Sequence, residues 1–444
     1  MQNNLTVGLV CLGCDKNRVD GEKLLGEISK KFKISNEIEE CDVLVINTCA
    51  FLNSSRQEAI ETVFDYAYLK ESGRLKKIIM TGCLPQKFVD ELFGELVEVD
   101  AFLGTYDQSL ICQTIEKLFE KNERFNFVGC GEEVKNGRFL TTPPHLAYLK
   151  ISDGCSNFCT YCLIPKIRGK FKSYPMEDLI EEAKSLGDIQ ELILVAQDTT
   201  KYGEDLYGKN MLVPLIKGLS ALENVGSIRL LYCYPEKITD ELIDELATNS
   251  KLIKYIDIPM QHADDRILKL MNRKGTFEGY LNLVNKLKNR VKDIAIRSTF
   301  ITGFPTETQA EHERLIEFIK RAKIFNAGFF TYSKEPDTPA FKLGGQVHPK
   351  TKQKRQRELY AQQQLVASEI LDSYVGKTIE VLCDGISYEK QAFYGRAYFS
   401  APEVDGLVYF TSDEVVNQGE KYLVKIHSRQ EFDLYGGVEN NELT

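Results

Sequence analysis

Short apolar runs that alternate with amphipathic segments organise most of this 444-residue chain. In the N-terminal third, each of three runs leads through a loop into a segment with helical periodicity. The three runs span residues 7–11, 43–46 and 78–80. Strands that alternate with helices of this length are typical of βαβ units on a parallel sheet. We therefore predict an open α/β domain over residues 1–140.

The middle of the chain repeats the alternation after a looser, glycine-containing segment at residues 130–144. The predicted strands span residues 148–152, 191–198, 228–233, 255–261, 294–303 and 326–333. A complete barrel of this class needs eight β/α units. Six units therefore predict a partial (βα)6 barrel, which we assign to residues 141–349.

The C-terminal part has a different composition. Residues 350–375 are polar and rich in helix formers, so we predict a connecting helix there. Short β-rich runs follow, separated by Gly, Asp, Asn and Pro, and they span residues 378–383, 391–399, 407–411 and 421–427. This pattern indicates a small all-β barrel over residues 376–444.

The composition excludes several classes of protein. No apolar run approaches the roughly 18 residues of a membrane helix, and the chain does not begin like a secretory signal, so we predict a cytoplasmic protein. Lys and Arg total 56 against 65 Asp and Glu, and this net charge of -9 disfavours a general nucleic-acid binder. The 12 cysteines are then expected to be reduced, with some of them binding a metal.

Cys155, Cys159 and Cys162, called the second cysteine group below, directly follow the predicted strand at 148–152. Three thiolates at this spacing can surround one metal centre, because soft sulfur ligands select zinc or iron-sulfur clusters. Structural zinc usually has four ligands, and His145 is the only histidine close in sequence. A cluster held by three cysteines would instead leave one iron open to another ligand. Three inert buried thiols are the remaining alternative.

Cys14, Cys49 and Cys83, called the first cysteine group, each follow an apolar run by a few residues. If the three strands are parallel neighbours, all three thiols emerge at one edge of the sheet, where open α/β sheets bind ligands. Gly13 and Gly82 would let the backbone fold closely around a bulky group. From position alone, three separate core cysteines are an equally good interpretation.

The two cysteine groups, together with the terminal β-barrel, resemble the methylthiotransferase family of the radical S-adenosylmethionine (SAM) superfamily over nearly the whole chain. The second group, with Tyr161 before its last cysteine, is similar to the superfamily's signature loop. The sequence LGCDKNRVD at residues 12–20 resembles the leader of the RimO branch, which modifies a ribosomal protein. Further matching motifs lie at residues 164–165, 168–169, 257–262 and 303–308.

One position departs from the family pattern. Thr306 stands where the family usually has Gly. We expect little effect unless the turn requires positive φ at this residue.

The resemblance implies two 4Fe-4S clusters, one in each cysteine group, and SAM. The cluster in the second group would bind and reductively cleave SAM, and the cluster in the first group would carry the sulfur that becomes a methylthio group. No catalytic residue is predicted beyond the cluster ligands. Candidates for SAM contacts are Tyr161, Gln197, Arg229 and Gln261. For the three at strand ends, Gln197, Arg229 and Gln261, a role as a hydrogen-bonded barrel residue remains the alternative.

In this family the terminal β-barrel is a TRAM domain with an OB-like fold. Residues 376–437 contain six Lys or Arg and ten Asp or Glu, a net charge of -4. This charge disfavours an RNA backbone and favours a basic ribosomal protein. Together with the leader motif, this charge favours the activity that the resemblance to the RimO branch implies, which is methylthiolation of the β-carbon of an aspartate in ribosomal protein S12 of the small subunit.

Two alternatives stay open at this point. A tRNA methylthiotransferase acting on a modified adenosine near the anticodon would use the same chemistry, and a non-enzymatic metal or electron-transfer protein would use neither SAM nor a substrate. The predicted partners of the enzyme are an electron donor such as flavodoxin or ferredoxin and a sulfur donor, with no membrane.

Overall fold

The structure is a computed structural model that describes residues 5–121, 123–134 and 137–439. The first unit contains six strands: β1 (Thr6–Cys11), β2 (Lys33–Ile34), β3 (Val43–Thr48), β4 (Lys77–Gly82), β5 (Ala101–Phe102) and β6 (Phe125–Asn126). Its helices are α1 (Asp15–Ile28), α2 (Asn53–Glu71), α3 (Cys83–Glu95) and α4 (Ile111–Glu120). The strands form one parallel sheet in the order β2-β1-β3-β4-β5-β6.

Strand β3 is buried along its whole length because both faces of the first sheet are covered. Leu44 and Ile46 pack in one apolar core, and Val43 and Val45 pack in another. Coverage on both faces is typical of parallel α/β sheets. The predicted open α/β fold is therefore confirmed. The short strands β2, β5 and β6 were not predicted, because two residues carry no periodicity.

The second unit is built around six longer parallel strands: β7 (Leu146–Lys150), β10 (Ile189–Val195), β11 (Val225–Leu230), β12 (Leu252–Asp257), β13 (Ala295–Thr302) and β14 (Asn326–Thr331). They form an open sheet in the order β14-β13-β12-β11-β10-β7. Strands β8 (Ser152–Asp153) and β9 (Lys172–Ser173) form a separate antiparallel pair. The partial (βα)6 barrel is confirmed.

The helices of the second unit follow the strands in chain order. They are α5 (Ile164–Ile167), α6 (Met176–Ser185), α7 (Glu204–Tyr207), α8 (Leu212–Ser220), α9 (Asp240–Thr248), α10 (Asp265–Leu270), α11 (Phe277–Arg290) and α12 (Gln309–Ala322). Leu192 and Leu194 of β10 pack against these helices on one face of the sheet.

The third unit begins after a long helix, α13 (Pro349–Asp372). Its strands are β15 (Thr378–Ser387), β16 (Ala392–Arg396), β17 (Val408–Thr411), β18 (Lys421–Gln430) and β19 (Asp433–Val438). They close into a barrel in the order β15-β16-β17-β19-β18, which confirms the predicted small β-barrel. The prediction lacked β19, whose two adjacent glycines weaken its strand pattern. Residues 440–444 lie outside the described part of the chain.

The third unit covers the other face of the second sheet. Ile193 and Val195 of β10 share an apolar core with Val381 and Phe410 of the barrel. Alternate residues of one strand therefore pack against two different partners, helices on one side and the β-barrel on the other. Among the described helices, none combines the length and hydrophobicity that a transmembrane segment needs.

A buried carboxylate strengthens this interface. Glu191 on β10 accepts hydrogen bonds from Arg229 on β11 and from Arg396 on β16. Arg229 also donates to the carbonyl of Tyr398 at 2.8 Å, and Arg396 donates to Asp384 at 2.7 Å. Because these groups are buried away from water, each charge depends on its oppositely charged partners for stabilisation.

We expect Glu191→Gln to lower the free energy of unfolding by about 3 kcal/mol, because two buried guanidinium groups lose their shared counter-charge. Urea denaturation measures the change. The control is Glu380→Gln in the exposed pair with Lys421, which should cost about 1 kcal/mol or less. Equal effects of the two substitutions would contradict the proposed importance of the buried pair.

Candidate functional site

The three cysteines of the first group meet at the carboxyl edge of the first sheet. Strands β3 and β4 are neighbours with Thr48 opposite Gly82, and β1 pairs with β3 on its other side. Cys14 caps α1, Cys49 directly follows β3, and Cys83 begins α3. Because parallel strands end at the same edge, these three positions lie side by side.

The three thiols are close enough to affect one another. Cys83 lies in the electrostatic field of both Cys14 and Cys49, and Cys49 lies in that of Cys14. Gly13 has φ +101, and a Cβ on it would lie only 2.7 Å from Cys49 Cβ. A glycine is thus required where the backbone before Cys14 passes Cys49. The thiols form one group instead of three scattered core positions.

The buried side chain of Asn17 ties the three loops together. Its Nδ2 donates to the carbonyls of Leu12 at 3.0 Å and Thr48 at 2.9 Å, which lead into the first two cysteines. Its Oδ1 accepts the thiol hydrogen of Cys83 at 3.5 Å. The amide therefore fixes the relative positions of all three thiols.

Burial raises the pKa of two of these thiols, those of Cys49 and Cys83, and so favours their protonated form in the metal-free chain. It raises the pKa of Cys83 to about 12, although nearby Arg168 acts in the opposite direction. Burial also raises the pKa of Cys49. Only thiolates bind metals strongly, so a metal centre must displace these protons when it binds. Cys14 and Cys83 lie at helix N-termini, where the helix dipole favours negative charge.

The second cysteine group lies in the loop between β8 and α5. Backbone hydrogen bonds shape this loop: Cys155 N donates to the Gly169 carbonyl at 3.2 Å, and Cys162 N donates to the Cys159 carbonyl at 3.1 Å. The sulfur of Cys162 accepts the N–H of Ile164 at 3.5 Å. Burial raises the pKa of Cys155 to about 11. Hydrogen bonds to cysteine sulfur are one means by which proteins adjust bound clusters.

The chemistry of the two donor sets suits iron-sulfur clusters. Within residues 5–121, 123–134 and 137–439, no three His, Cys, Asp or Glu side chains converge on a position for one metal ion. Soft thiolate ligands are those that iron-sulfur clusters select. His145 pairs with Asp384 at 3.0 Å instead of joining the second group. Three soft thiols in each group match a 4Fe-4S cluster held by three cysteines.

A buried ion-pair network connects the first group to the segments on either side of the second. Arg168 follows the second group in sequence, and its Nε donates to Cys83 Sγ of the first group at 3.3 Å. Its Nη1 donates to Asp153 at 2.8 Å, and its Nη2 lies 2.8 Å from Asp20. Lys150 donates to the same two carboxylates. Asp20 belongs to α1 of the first unit and the other charges to the second unit, so the network fixes the units relative to each other.

The network stays ionised despite its burial. Burial by itself would raise the pKa of Asp153, but Arg168 and Lys150 outweigh it and hold that pKa well below its ordinary value. Burial likewise opposes the charge on Lys150, yet the surrounding carboxylates raise its pKa. Opposite charges therefore compensate for the missing water.

The first group faces the carboxyl edge of the second sheet. Tyr232, just after β11, donates its hydroxyl to Asp15 at 2.8 Å, and Lys16 Nζ lies 3.2 Å from the centre of its ring. Both partners directly follow Cys14, whose field also reaches Tyr232. In β/α barrels the carboxyl edge holds the active site. Both cysteine groups therefore border the same region.

Two of the four predicted SAM contacts lie beside the second group. Gln197 donates to Asp153 at 3.0 Å, and its buried Oε1 has no hydrogen-bond partner in the described part of the chain. Tyr161 is packed next to Cys159. Gln261 extends the carboxyl end of β12 with φ +71 and forms a bridge to Phe300.

The structure places Arg229, a candidate SAM contact in the sequence analysis, away from the second group. Its guanidinium contacts Glu191 and the Tyr398 carbonyl, on the face of the sheet that the third unit covers. Its donors hold two units together, so the structure gives Arg229 a structural role and does not bring it to the second group.

Known proteins match the chain along its length. Family models match residues 6–104 (Uncharacterized protein family UPF0004), 149–319 (Radical SAM superfamily) and 375–438 (TRAM domain). Proteins named ribosomal protein uS12 methylthiotransferase RimO from Lachnoclostridium phytofermentans and Clostridium botulinum are each 44% identical to this chain. The first match covers 98% of this chain and 100% of the relative, and the second covers 98% of both. The chain belongs to the RimO family.

The fold is also shared with a solved structure. The radical S-adenosylmethionine methyltransferase TsrM from Kitasatospora setae has a TM-score of 0.53 over 85% of this chain and 79% of that protein. Its sequence identity is 13%, so this likeness concerns the fold alone.

Several site residues of this RimO family member were not predicted from the sequence. Asn17 and Asp20 lie in the leader motif, and Arg168 lies in the motif at residues 168–169, but none was assigned a role. The spacing of Cys14, Asn17 and Asp20 by three residues was a usable signal, because it places them along one side of a helix.

The departure at Thr306 has a structural consequence in this RimO chain. Thr306 adopts φ +68, so the turn does require the left-handed conformation. A β-branched residue there carries strain of about 1–2 kcal/mol. Arg266 offsets part of it by donating to the Thr306 carbonyl at 2.8 Å and to its hydroxyl at 3.0 Å.

We expect Asn17→Ala to lower the free energy of unfolding by about 1–3 kcal/mol, because two buried carbonyls lose their donor. It should also reduce iron uptake by the first group, since the three loops are no longer tied. Iron content after anaerobic reconstitution, in a chain whose second group is replaced by alanines, measures this.

The control is Asn224→Ala in the second unit. Asn224 also donates its amide to two carbonyls, those of Ala183 and Gly187. This variant should lose stability yet keep its iron. Full iron uptake by Asn17→Ala would contradict the assigned role of Asn17.

Proposed function

We propose that the chain is a radical SAM methylthiotransferase that attaches a methylthio group to the β-carbon of an aspartate in ribosomal protein uS12. The observation that carries the proposal is the link between the two cysteine groups through residues 168–169, in a chain similar to RimO proteins over 98% of its length. Arg168 Nε donates to Cys83 Sγ, and the Gly169 carbonyl accepts the backbone N–H of Cys155. Sulfur insertion needs two centres that both reach one substrate carbon. The link through residues 168–169 supports the proposal because it holds the two cysteine groups near each other.

The proposed cofactors are two 4Fe-4S clusters and SAM, with one cluster in each cysteine group. When bound, they would supply the reductive cleavage of SAM and the sulfur for transfer. The chain supplies the thiolates, their spacing and the exclusion of water. The buried positions of Cys83 and of the ion-pair network support this role, because a reactive intermediate must be shielded from solvent.

The SAM contacts remain part of this proposal. The unpaired Oε1 of Gln197 is a buried acceptor beside the second group, and the amino group of SAM is a donor that suits it. Tyr161 would line the same site, and Gln261 would lie at its edge, at the end of β12. In this arrangement, residues 1–140 carry the first cluster, residues 141–349 carry the SAM site and residues 376–444 contact the substrate, with 350–375 as the connecting helix.

The charge of the third unit supports a basic protein substrate. Its exposed carboxylates are Glu380, Glu389, Glu403, Asp413, Glu414, Glu420, Glu431 and Glu439. Glu403 also forms an exposed ion pair with Arg18 of α1 at 2.8 Å. Arg18 lies four residues after Cys14 in the sequence. The unpaired carboxylates of the third unit can attract a basic ribosomal protein, and the Glu403–Arg18 pair places this unit next to the helix that begins at the first group.

The proposal includes partners and a location. Reductive cleavage of SAM needs a one-electron donor, such as a flavodoxin or a ferredoxin, and sulfur transfer needs a sulfur donor. A cytoplasmic location follows from the proposed substrate, because ribosomal proteins are found there.

We expect anaerobic reconstitution to load about eight iron atoms per chain, four for each cubane. Replacing Cys14, Cys49 and Cys83 with Ala should leave about four iron atoms and a cluster whose electron paramagnetic resonance signal still responds to SAM. Replacing the second group should leave about four iron atoms without this response. Unchanged iron after either triple replacement would contradict the two-cluster proposal.

We expect the reconstituted enzyme, given SAM, sulfide and a strong reductant, to add a methylthio group to purified uS12, because the exposed carboxylates of the third unit attract a basic protein. Mass spectrometry of the protein locates the modified aspartate. An Asp→Ala variant of uS12 at that position is the control. Modification of tRNA, with uS12 unchanged, would overturn the proposed substrate.

A further inference from the structure

Arg168 and Gly169 link the two cysteine groups. The side chain of Arg168 is almost fully buried, and its Nε donates to the sulfur of Cys83. The neighbouring Gly169 carbonyl accepts the backbone N–H of Cys155. One short segment therefore contacts a sulfur of the first group and shapes the loop of the second.

The donor to Cys83 differs in kind from the donors to other sulfurs of the two groups. Cys162 accepts a hydrogen bond from the Ile164 backbone at 3.5 Å, and the polar groups that act to lower the pKa of Cys49 are the Phe51 backbone and the Ser55 hydroxyl. These donors are neutral, whereas a guanidinium carries a positive charge. Charge-assisted hydrogen bonds are roughly twice as strong as neutral ones.

The guanidinium has little freedom to turn away. Asp153 and Asp20 bind its two terminal nitrogens, and Asn17 Oδ1 accepts from one of them. The backbone is also held, because the Tyr106 hydroxyl donates to the Arg168 carbonyl at 2.8 Å. Only a planar fork with three nitrogens can contact all these partners at once, so lysine is not an equivalent residue here.

We propose that Arg168 is a positioning residue that raises the reduction potential of the first cluster and holds that cluster in register with the second group. A positive donor on a ligand sulfur stabilises the reduced state, which carries one more negative charge than the oxidised state. The inference rests on the proposed function in one respect, since it requires a cluster in the first group.

A purely structural role is the competing explanation, and Arg138 provides a matched control. Arg138 is also a buried arginine that joins the first and second units. Its hydrogen bonds go to Glu22, Glu182 and the Tyr148 carbonyl. Loss of either arginine should destabilise the interface between units, but only Arg168 contacts a cysteine sulfur.

The test uses the full chain with Cys155, Cys159 and Cys162 replaced by Ala, so that iron reports the first group alone. Arg168→Gln, Arg168→Lys and Arg138→Gln are introduced into this parent. After anaerobic reconstitution, iron content is measured, and a redox titration followed by electron paramagnetic resonance gives the ratio of reduced to oxidised cluster.

Both Arg168 variants should lower that ratio at least about tenfold at a fixed solution potential, equivalent to about 59 mV for one electron. Arg138→Gln should change it by less than about twofold. Ratios for the Arg168 variants within about twofold of the parent would overturn the inference, as would an equal shift in Arg138→Gln. Failure of both Arg168 variants to fold, with Arg138→Gln folded, would assign Arg168 to structure alone and also overturn it. A parent without iron would refute the first cluster itself, and thus the proposed function.

Discussion

The buried ion pairs among Lys150, Arg168, Asp20 and Asp153 are the constraint on which the arrangement of the two cysteine groups depends. Removing one member of such a pair leaves an uncompensated charge in a site without water, at a cost of about 3–5 kcal/mol. The first unit therefore cannot shift along the second without breaking several of these contacts together. This couples the position of the first cysteine group to the backbone that shapes the second.

The fold was largely predictable because buried parallel strands form continuous apolar runs. The six strands of the second sheet were predicted for this reason, and β7 to β14 alternate with helices as expected. The prediction failed where a strand is too short to show a pattern, as in β5, or carries glycines, as in β19. The sequence also does not show that one face of the second sheet packs against the β-barrel. Both faces of the sheet are apolar, so the pattern does not reveal which partner covers which face.

The cysteines of the site were predictable for a related reason. Their positions follow strand ends, and strand ends were identified correctly. The network around Arg168 was missed because a charged residue in a sequence is normally expected on a solvated surface. Arg229 was assigned to the SAM site because it lies near a strand end, whereas its side-chain partners depend on a tertiary contact with Tyr398. Charge pairing across units is the information that the sequence did not contain.

The two cysteine groups differ in how much of the chain must fold before each exists. The three thiols from Cys155 to Cys162 are local, so closing their loop costs little chain entropy. Those of the first group come from three separate strand ends, and Cys14 and Cys83 are 69 residues apart, from 83 minus 14. The cysteines of the second group are thus brought close by a single short loop, whereas the first group appears only once its sheet is assembled. Capture of iron at the first group would therefore mark completion of folding of the N-terminal unit.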